Sequence, residues 1–437
     1  MTDSTEGCNG AARRLTRRRF LAGAAAAAGA ATVGPVLGTG SALAAGLDPR
    51  GSRSSDMVPF FGRHQAGIAT AAPNYLCFAA FDLAPQRKSD IRDLMRLWTG
   101  AAARMTTGQP AGEPNTAESR APIDTGEAQG LPPSRLTITF GFGPTMFELD
   151  GEDRFGLRSK MPAALQPLPA FEGDQLEPDR SDGDICVQAC ADDPQVAFHA
   201  VRNLGRLALG SVAMRWQQLG FGRTASTTRR QETARNLMGF KDGTDNLRSD
   251  DLKGMQRFVW AGAEGPKWME AGSYLVARRI EISIDQWDGS ALREQEHTFG
   301  RRKSTGAPLT GTSEYDPVDL KAVDASGKLI IPADAHIRIA APSNNESRRI
   351  LRRGYSFSER VDPSTGLLDA GLFFICFQRD PRTQFVPLQR NLSRHDHLNR
   401  YTTHTASALF AVPPGARPGG FVGAGLFVRQ RGSAFEP

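Results

Sequence analysis

Apolar residues recur along this chain in short, nearly continuous runs separated by polar stretches rich in glycine and proline. "YLCFAAFDL" (75–83), "RLTITFGFG" (135–143), "GDICVQACADD" (183–193) and "VAMRWQQLGFG" (212–222) have the length and composition of strands. Between them the period lengthens. "KSDIRDLMRLWTGAAARM" (88–105) spaces its apolar residues three and four apart and predicts an amphipathic helix capped by Ser89. "PQVAFHAVRNLGRLAL" (194–209) predicts a second helix opened by Pro194. The polar segment 107–134 predicts a surface loop.

The second half repeats this grammar. "GSYLVARRIEIS" (272–283), "AHIRIAAPS" (335–343), "GLFFICFQRD" (371–380) and "ASALFAVPP" (406–414) predict strands. "IDQWDGSALREQEHTFG" (284–300) and "PRTQFVPLQRNL" (381–392) predict helices. "CVQACADDPQVAFHAV" and "FFICFQRDPRTQFVPL" echo each other: a strand ends in Asp, turns at Pro and enters a helix. The expected fold is therefore α+β, a duplicated pair of ferredoxin-like β-α-β-β-α-β halves. One face of each antiparallel sheet is left for its twin or for a ligand. The halves are expected to span 46–235 and 236–437.

Residues 1–45 predict a signal peptide instead. Arg17-Arg18-Arg19-Phe20-Leu21 leads into an Ala/Gly run that ends near Ala42-Leu43-Ala44, a small-residue cleavage pattern. The run is too weakly apolar for a membrane span. The arginine pair resembles a twin-arginine export signal, which implies the twin-arginine translocase as a partner. A periplasmic, cell-envelope or extracellular destination follows, with a protein that folds around a cofactor before export. The formal net charge is +6. Five arginines (13, 14, 17, 18, 19) against Asp3 and Glu6 place +3 of it in the signal, leaving +3. That balance gives no ground for a nucleic-acid partner. Cys186 and Cys190, on one face of a strand, read as small buried side chains.

The candidate chemistry begins at "NLMGFKDGTDNL" (236–247), where an apolar run breaks into a glycine-flanked aspartate. Asp-Gly alone reads as a turn. His336, opening "HIRIAAP", reads by itself as structural. A phosphatase of the haloacid type needs a second Asp where this chain has Phe240, which excludes that reading.

Taken together, "GFKDGTDN" (239–246), "HIRIAAP" (336–342) and "ILRRGYSF" (350–357) resemble the dye-decolorising (DyP-type) haem peroxidases, especially the exported deferrochelatase/peroxidase subgroup. The resemblance runs from about residue 57 to 428. It implies haem b (iron protoporphyrin IX) in the C-terminal half, with His336 as the iron ligand. Asp242 and Arg352 would be catalytic, as acid–base group and fixed cation. Gly243, Thr244, Asp245, Ala341, Pro342 and Ser343 would lie along the haem, and Leu372 and Phe374 would wall the pocket. Glu346 is expected behind His336. Some relatives carry Asn two residues after the arginine, where this chain has Gly354. Hydrogen peroxide and organic reductants such as dyes would be substrates, with haem itself a further substrate feeding an iron-uptake system. A homo-oligomer is expected, and the alternative is a non-catalytic haem carrier.

Overall fold

The computed structural model describes residues 56–428, apart from 85–86, 115–116, 229–230, 362 and 364–365. The predicted signal peptide lies outside the described residues. No helix among the described residues is long and apolar enough to cross a membrane.

In chain order the elements are β1 (Tyr75–Leu83), α1 (Lys88–Met105), β2 (Thr137–Phe142), α2 (Pro144–Phe147), β3 (Ile185–Ala191), α3 (Pro194–Leu207) and β4 (Val212–Arg223). Then follow α4 (Leu252–Phe258), β5 (Ser273–Ile282), α5 (Ile284–Asp288), α6 (Leu292–Phe299), α7 (His336–Ala340), β6 (Leu351–Arg352), β7 (Tyr355–Val361), β8 (Leu368–Gln378), α8 (Phe385–His395) and β9 (Thr402–Val412). The described strands form one antiparallel sheet in the order β5-β9-β2-β3-β1-β4-β7-β8-β6. β5 also pairs with β8, so the sheet closes into a barrel. Strands from the first and second parts of the chain meet sparingly. β2 joins β9 only at Phe142↔Ala411, and β4 joins β7 only at Phe221↔Ser356 and Arg223↔Tyr355.

Alternation sorts side chains to the two faces of this sheet. Phe78, Trp216, Phe373 and Phe410 point into the barrel and form one core, with the Phe78 and Trp216 rings stacked 5.3 Å apart. Cys186 and Cys190 lie in it as free, buried thiols. On the outer face α1 and α3 cover Ile138, Phe140 and Val187, which are fully buried, and Trp98 stacks on Phe140 at 5.8 Å. The outer face of β5, β8 and β9 is different. Ile280, Leu372 and Phe374 remain only partly buried there and line a cavity of about 540 Å³ beneath α7 and α8.

Four local expectations change. Residues 336–340 are a short helix, not a strand. Ile337 and Ile339 suggested alternation, but both sides of this turn meet protein. Ile337 packs toward Leu309 and Ile331, and Ile339 is buried. The 284–300 helix is broken into α5 and α6 at Gly289 and Ser290. The 381–392 helix starts four residues late, at Phe385, which places Pro387 in the first turn, where no backbone donor is needed. Ser89 does not cap α1; Arg87 occupies that position without a side-chain bond, and Ser89 Oγ donates to Asp90 instead. Asp193, by contrast, caps α3 by accepting from Gln195 N and Val196 N.

Candidate active site

The cavity is lined from stretches far apart in the chain: 224–225, 236–245, 299–320, 336–354, 385–399 and the outer faces of β5, β8 and β9. Every predicted site residue reaches it. Asp242, Gly243, Thr244, Asp245, His336, Ala341, Pro342, Ser343, Arg352, Leu372 and Phe374 all line its walls.

His336 opens α7, and its ring packs edge-on against Phe299. Its Nδ1 donates to Asp396 Oδ2 at 2.5 Å, which leaves Nε2 as the free ring nitrogen. Burial works against the imidazolium, but Asp396 outweighs it, with Asp242 assisting and Arg352 opposing, so the pKa of His336 lies above the usual histidine value. Asp396 is itself buried. Its other oxygen accepts from Leu398 N at 3.0 Å, which fixes the carboxylate against the turn that follows α8. Sequence reasoning missed this residue and named Glu346, which instead accepts from Arg348 Nη2 at 2.6 Å. Asp396 lies in the polar run His395-Asp396-His397. Its one usable signal was an Asp placed to cap the turn 397–400.

On the sheet side, Arg352 ends the two-residue strand β6. Leu351 and Arg353 point into the barrel, so Arg352 points to the cavity. Its Nη1 donates to Asp242 Oδ1 at 2.6 Å. Asp242 sits on a loop held from several sides. Its N–H donates to Ala234 O at 2.9 Å. Gly243 takes a φ of +91°, and a Cβ there would stand 3.0 Å from Ala225 Cα, so both conformation and space require glycine. The tightness at Gly243 thus comes from protein backbone. Lys241 Nζ and Thr244 Oγ1 both donate to the buried Glu314, the latter at 3.2 Å. Burial raises the Glu314 carboxyl, yet Lys241, Thr233 and Thr244 hold it below the usual range. Asp245 accepts from Arg349 Nη2.

His404 of β9 also lines the cavity and was not anticipated. Arg278 Nε donates to its Nδ1 at 3.1 Å, which fixes the tautomer with hydrogen on Nε2. Burial, followed by the charge of Arg278, drives its pKa down to about 3.

One wall thus offers an imidazole nitrogen backed by a carboxylate. The other offers an acid paired with a cation, with apolar side chains between. Such a cavity suits a flat organic cofactor whose metal takes one protein ligand. Comparison with known proteins fits this class. Residues 65–222 match the model of the Dyp-type peroxidase N-terminal domain, and residues 233–417 that of its C-terminal domain. A dye-decolorizing peroxidase of Thermobifida fusca is 38% identical over 94% of this chain and 97% of its own length. A deferrochelatase of Escherichia coli K12 is 38% identical over 92% of this chain and 94% of its own. The structure of ferric DtpA from Streptomyces lividans superposes with a TM-score of 0.77 at 42% identity, covering 86% of this chain and 98% of that one. The chain belongs to the Dyp-type peroxidase family.

Proposed function

We propose that this protein is a haem peroxidase that reduces hydrogen peroxide and oxidises dyes or other organic donors. The observation that carries the reading is one cavity presenting His336 Nε2 on one wall and the Asp242–Arg352 pair on another. The residues present fit haem. His336 offers a nitrogen whose partner atom is already engaged by Asp396, the usual arrangement behind a metal-bound histidine. Ile280, Leu372, Phe374 and Leu388 supply apolar surface for a porphyrin. Gly243, Thr244, Asp245, Ala341, Pro342 and Ser343 would border it.

Bound haem supplies a redox-active iron. The chain supplies proton handling and charge. Asp242 accepts the proton that peroxide releases and returns it to the departing oxygen. Its Oδ1 is engaged by Arg352, so Oδ2 is the atom assigned to this transfer. Arg352 holds a fixed positive charge where negative charge develops. A carrier would need neither group, which weighs against the non-catalytic reading.

The deferrochelatase relative supports a second activity in the same pocket, release of iron from haem. Product analysis separates the two. Peroxide-dependent bleaching of a dye supports peroxidase action, and free protoporphyrin after anaerobic incubation with haem supports chelatase action. The decisive first measurement is the absorption spectrum of the purified protein. A preparation that takes up no haem, or takes it up and bleaches no dye with peroxide, overturns the peroxidase reading.

The same proposal covers the chain's architecture and route. The strand orders β2-β3-β1-β4 and β7-β8-β5-β9 match each other element for element, which supports two ferredoxin-like halves rolled into the barrel. Arg17-Arg18 supports export through the twin-arginine pathway.

A further inference from the structure

We infer that Asn246 is the positioning residue that fixes the Asp242–Arg352 pair, an inference that rests on the peroxidase reading of that pair. Arg352 lies in a strand only two residues long. Its neighbour Arg353 donates its N–H to Ile375 O of β8 at 2.7 Å, so the backbone groups of Arg352 face away from β8. Among the described residues no strand lies on that side, because β4 reaches β7 only from Tyr355 onward. A strand edge of this kind leaves a donor and an acceptor in need of partners.

The Asn246 carboxamide supplies both. Its Oδ1 accepts from Arg352 N at 2.8 Å, and its Nδ2 donates to Arg352 O at 2.9 Å. A carboxamide has the same donor and acceptor set as a peptide group, so one side chain stands in for the missing strand. Nδ2 also donates to Ser226 O at 3.2 Å. The adjoining residue Thr224 donates its N–H to Gly354 O at 2.9 Å. Asn246 is 6% exposed, so none of these bonds competes freely with water.

The same residue belongs to the loop that carries Asp242. Asn246 N donates to Gly243 O at 3.0 Å and closes a turn directly behind the aspartate. Acid and cation are 110 positions apart in sequence, yet Asn246 bonds the loop of the one directly to the backbone of the other. Asn246 reaches neither the cavity nor the reacting atoms, so its effect passes through Asp242 and Arg352. A displacement of about 1 Å in such a pair is enough to cost up to about 10²-fold in rate.

Asn246→Ala removes both partners of Arg352. Asn246→Asp keeps the shape and the acceptor but sets a carboxylate oxygen against two carbonyls. Leu247→Ala is the control, since Leu247 is buried in the barrel core next door and makes none of these bonds. Two readouts are needed: crystal structures of the haem-free variants, and kcat/KM for peroxide beside KM for the organic donor. The expected result is loss of the Asp242–Arg352 contact in both Asn246 variants. The peroxide constant should fall about 10–10²-fold with the donor KM unchanged. Leu247→Ala should lower Tm and leave the pair in place. If Asn246→Ala does not fold, Asn246→Asp decides. An intact pair in the crystal, or a loss in the peroxide constant no larger than that of Leu247→Ala, would overturn the assignment. Failure of the parent itself to react with peroxide would count against the peroxidase reading, and the crystal structures would still judge the clamp.

Discussion

His336 Nδ1 and Asp396 Oδ2 stand 2.5 Å apart, joined across sixty residues of chain. The carboxylate orients the ring and makes Nε2 a stronger donor to a metal. Asp396→Asn keeps the size and withdraws the charge. Haem affinity should fall about 10–10²-fold, read from Soret titration of the haem-free protein. His336→Ala, which removes the nitrogen altogether, should lose the parental Soret band. Equal affinities for parent and Asp396→Asn would show that the hydrogen bond is incidental.

Asp242→Asn preserves the shape of the acid and removes the base. The rate of reaction with peroxide, measured by rapid mixing, should drop about 10²–10⁴-fold while haem stays bound. Arg352→Leu tests whether fixed charge dominates. A parental rate in Asp242→Asn beside a slow Arg352→Leu would transfer the step to the arginine.

Gly354 stands where some relatives place asparagine. A Cβ at this position would come within 2.9 Å of Thr224 Oγ1, 3.1 Å of Leu372 Cδ1 and 3.2 Å of Phe373 O. Gly354→Asn should therefore overpack the wall, at a cost of about 1–3 kcal/mol, and lower Tm without speeding the peroxide reaction. A faster variant at parental Tm would mean that the wall yields.

His404 gives a pH dependence with a definite sign. Its folded-state pKa of about 3 lies below the usual 6.5. Below pH 6.5 the unfolded chain takes up a proton that the native protein refuses, so stability falls as pH drops from 6.5 toward 3. Between pH 7 and pH 5 this one group should cost about 2 kcal/mol. Asp174, bonded to Arg278, is an acid of the same cluster and belongs to the same comparison. Urea unfolding of the parent and His404→Gln at the two pH values isolates the effect. An identical pH slope for both proteins contradicts it.

Replacing Arg17 and Arg18 together by Lys keeps the charge and removes the guanidinium pair. Export should fail, with unprocessed protein retained inside the cell. Processing at the parental level would rule out the twin-arginine route.

Sequence pattern carried the first half of the fold well, because β1, α1, β3, α3 and β4 each show their period within one segment. Barrel closure was beyond it. Besides the β5–β8 pairing, closure needs β2 to meet β9 and β4 to meet β7, through three pairs, Phe142↔Ala411, Phe221↔Ser356 and Arg223↔Tyr355, with no local signature. Asp242, His336 and Arg352, which the structure brings to one cavity, were proposed from motifs that hold several distinctive residues together. Asp396 and His404 were not, because their importance comes from partners far away in sequence. The helix at His336 was misread because five residues with isoleucine at alternate places fit either period, and only Leu309 and Ile331 packing beside Ile337 decide between them.

The two halves treat their outer sheet face unequally. Trp98 fills the space over Phe140, whereas Leu372 and Phe374 face a cavity of about 540 Å³. In the second half the prosthetic group would therefore serve as the missing piece of a hydrophobic core. Folding and loading then become one linked equilibrium, in which every tenfold rise in free haem above its dissociation constant adds about 1.4 kcal/mol to stability. The amount of folded enzyme a cell can keep would follow its supply of haem.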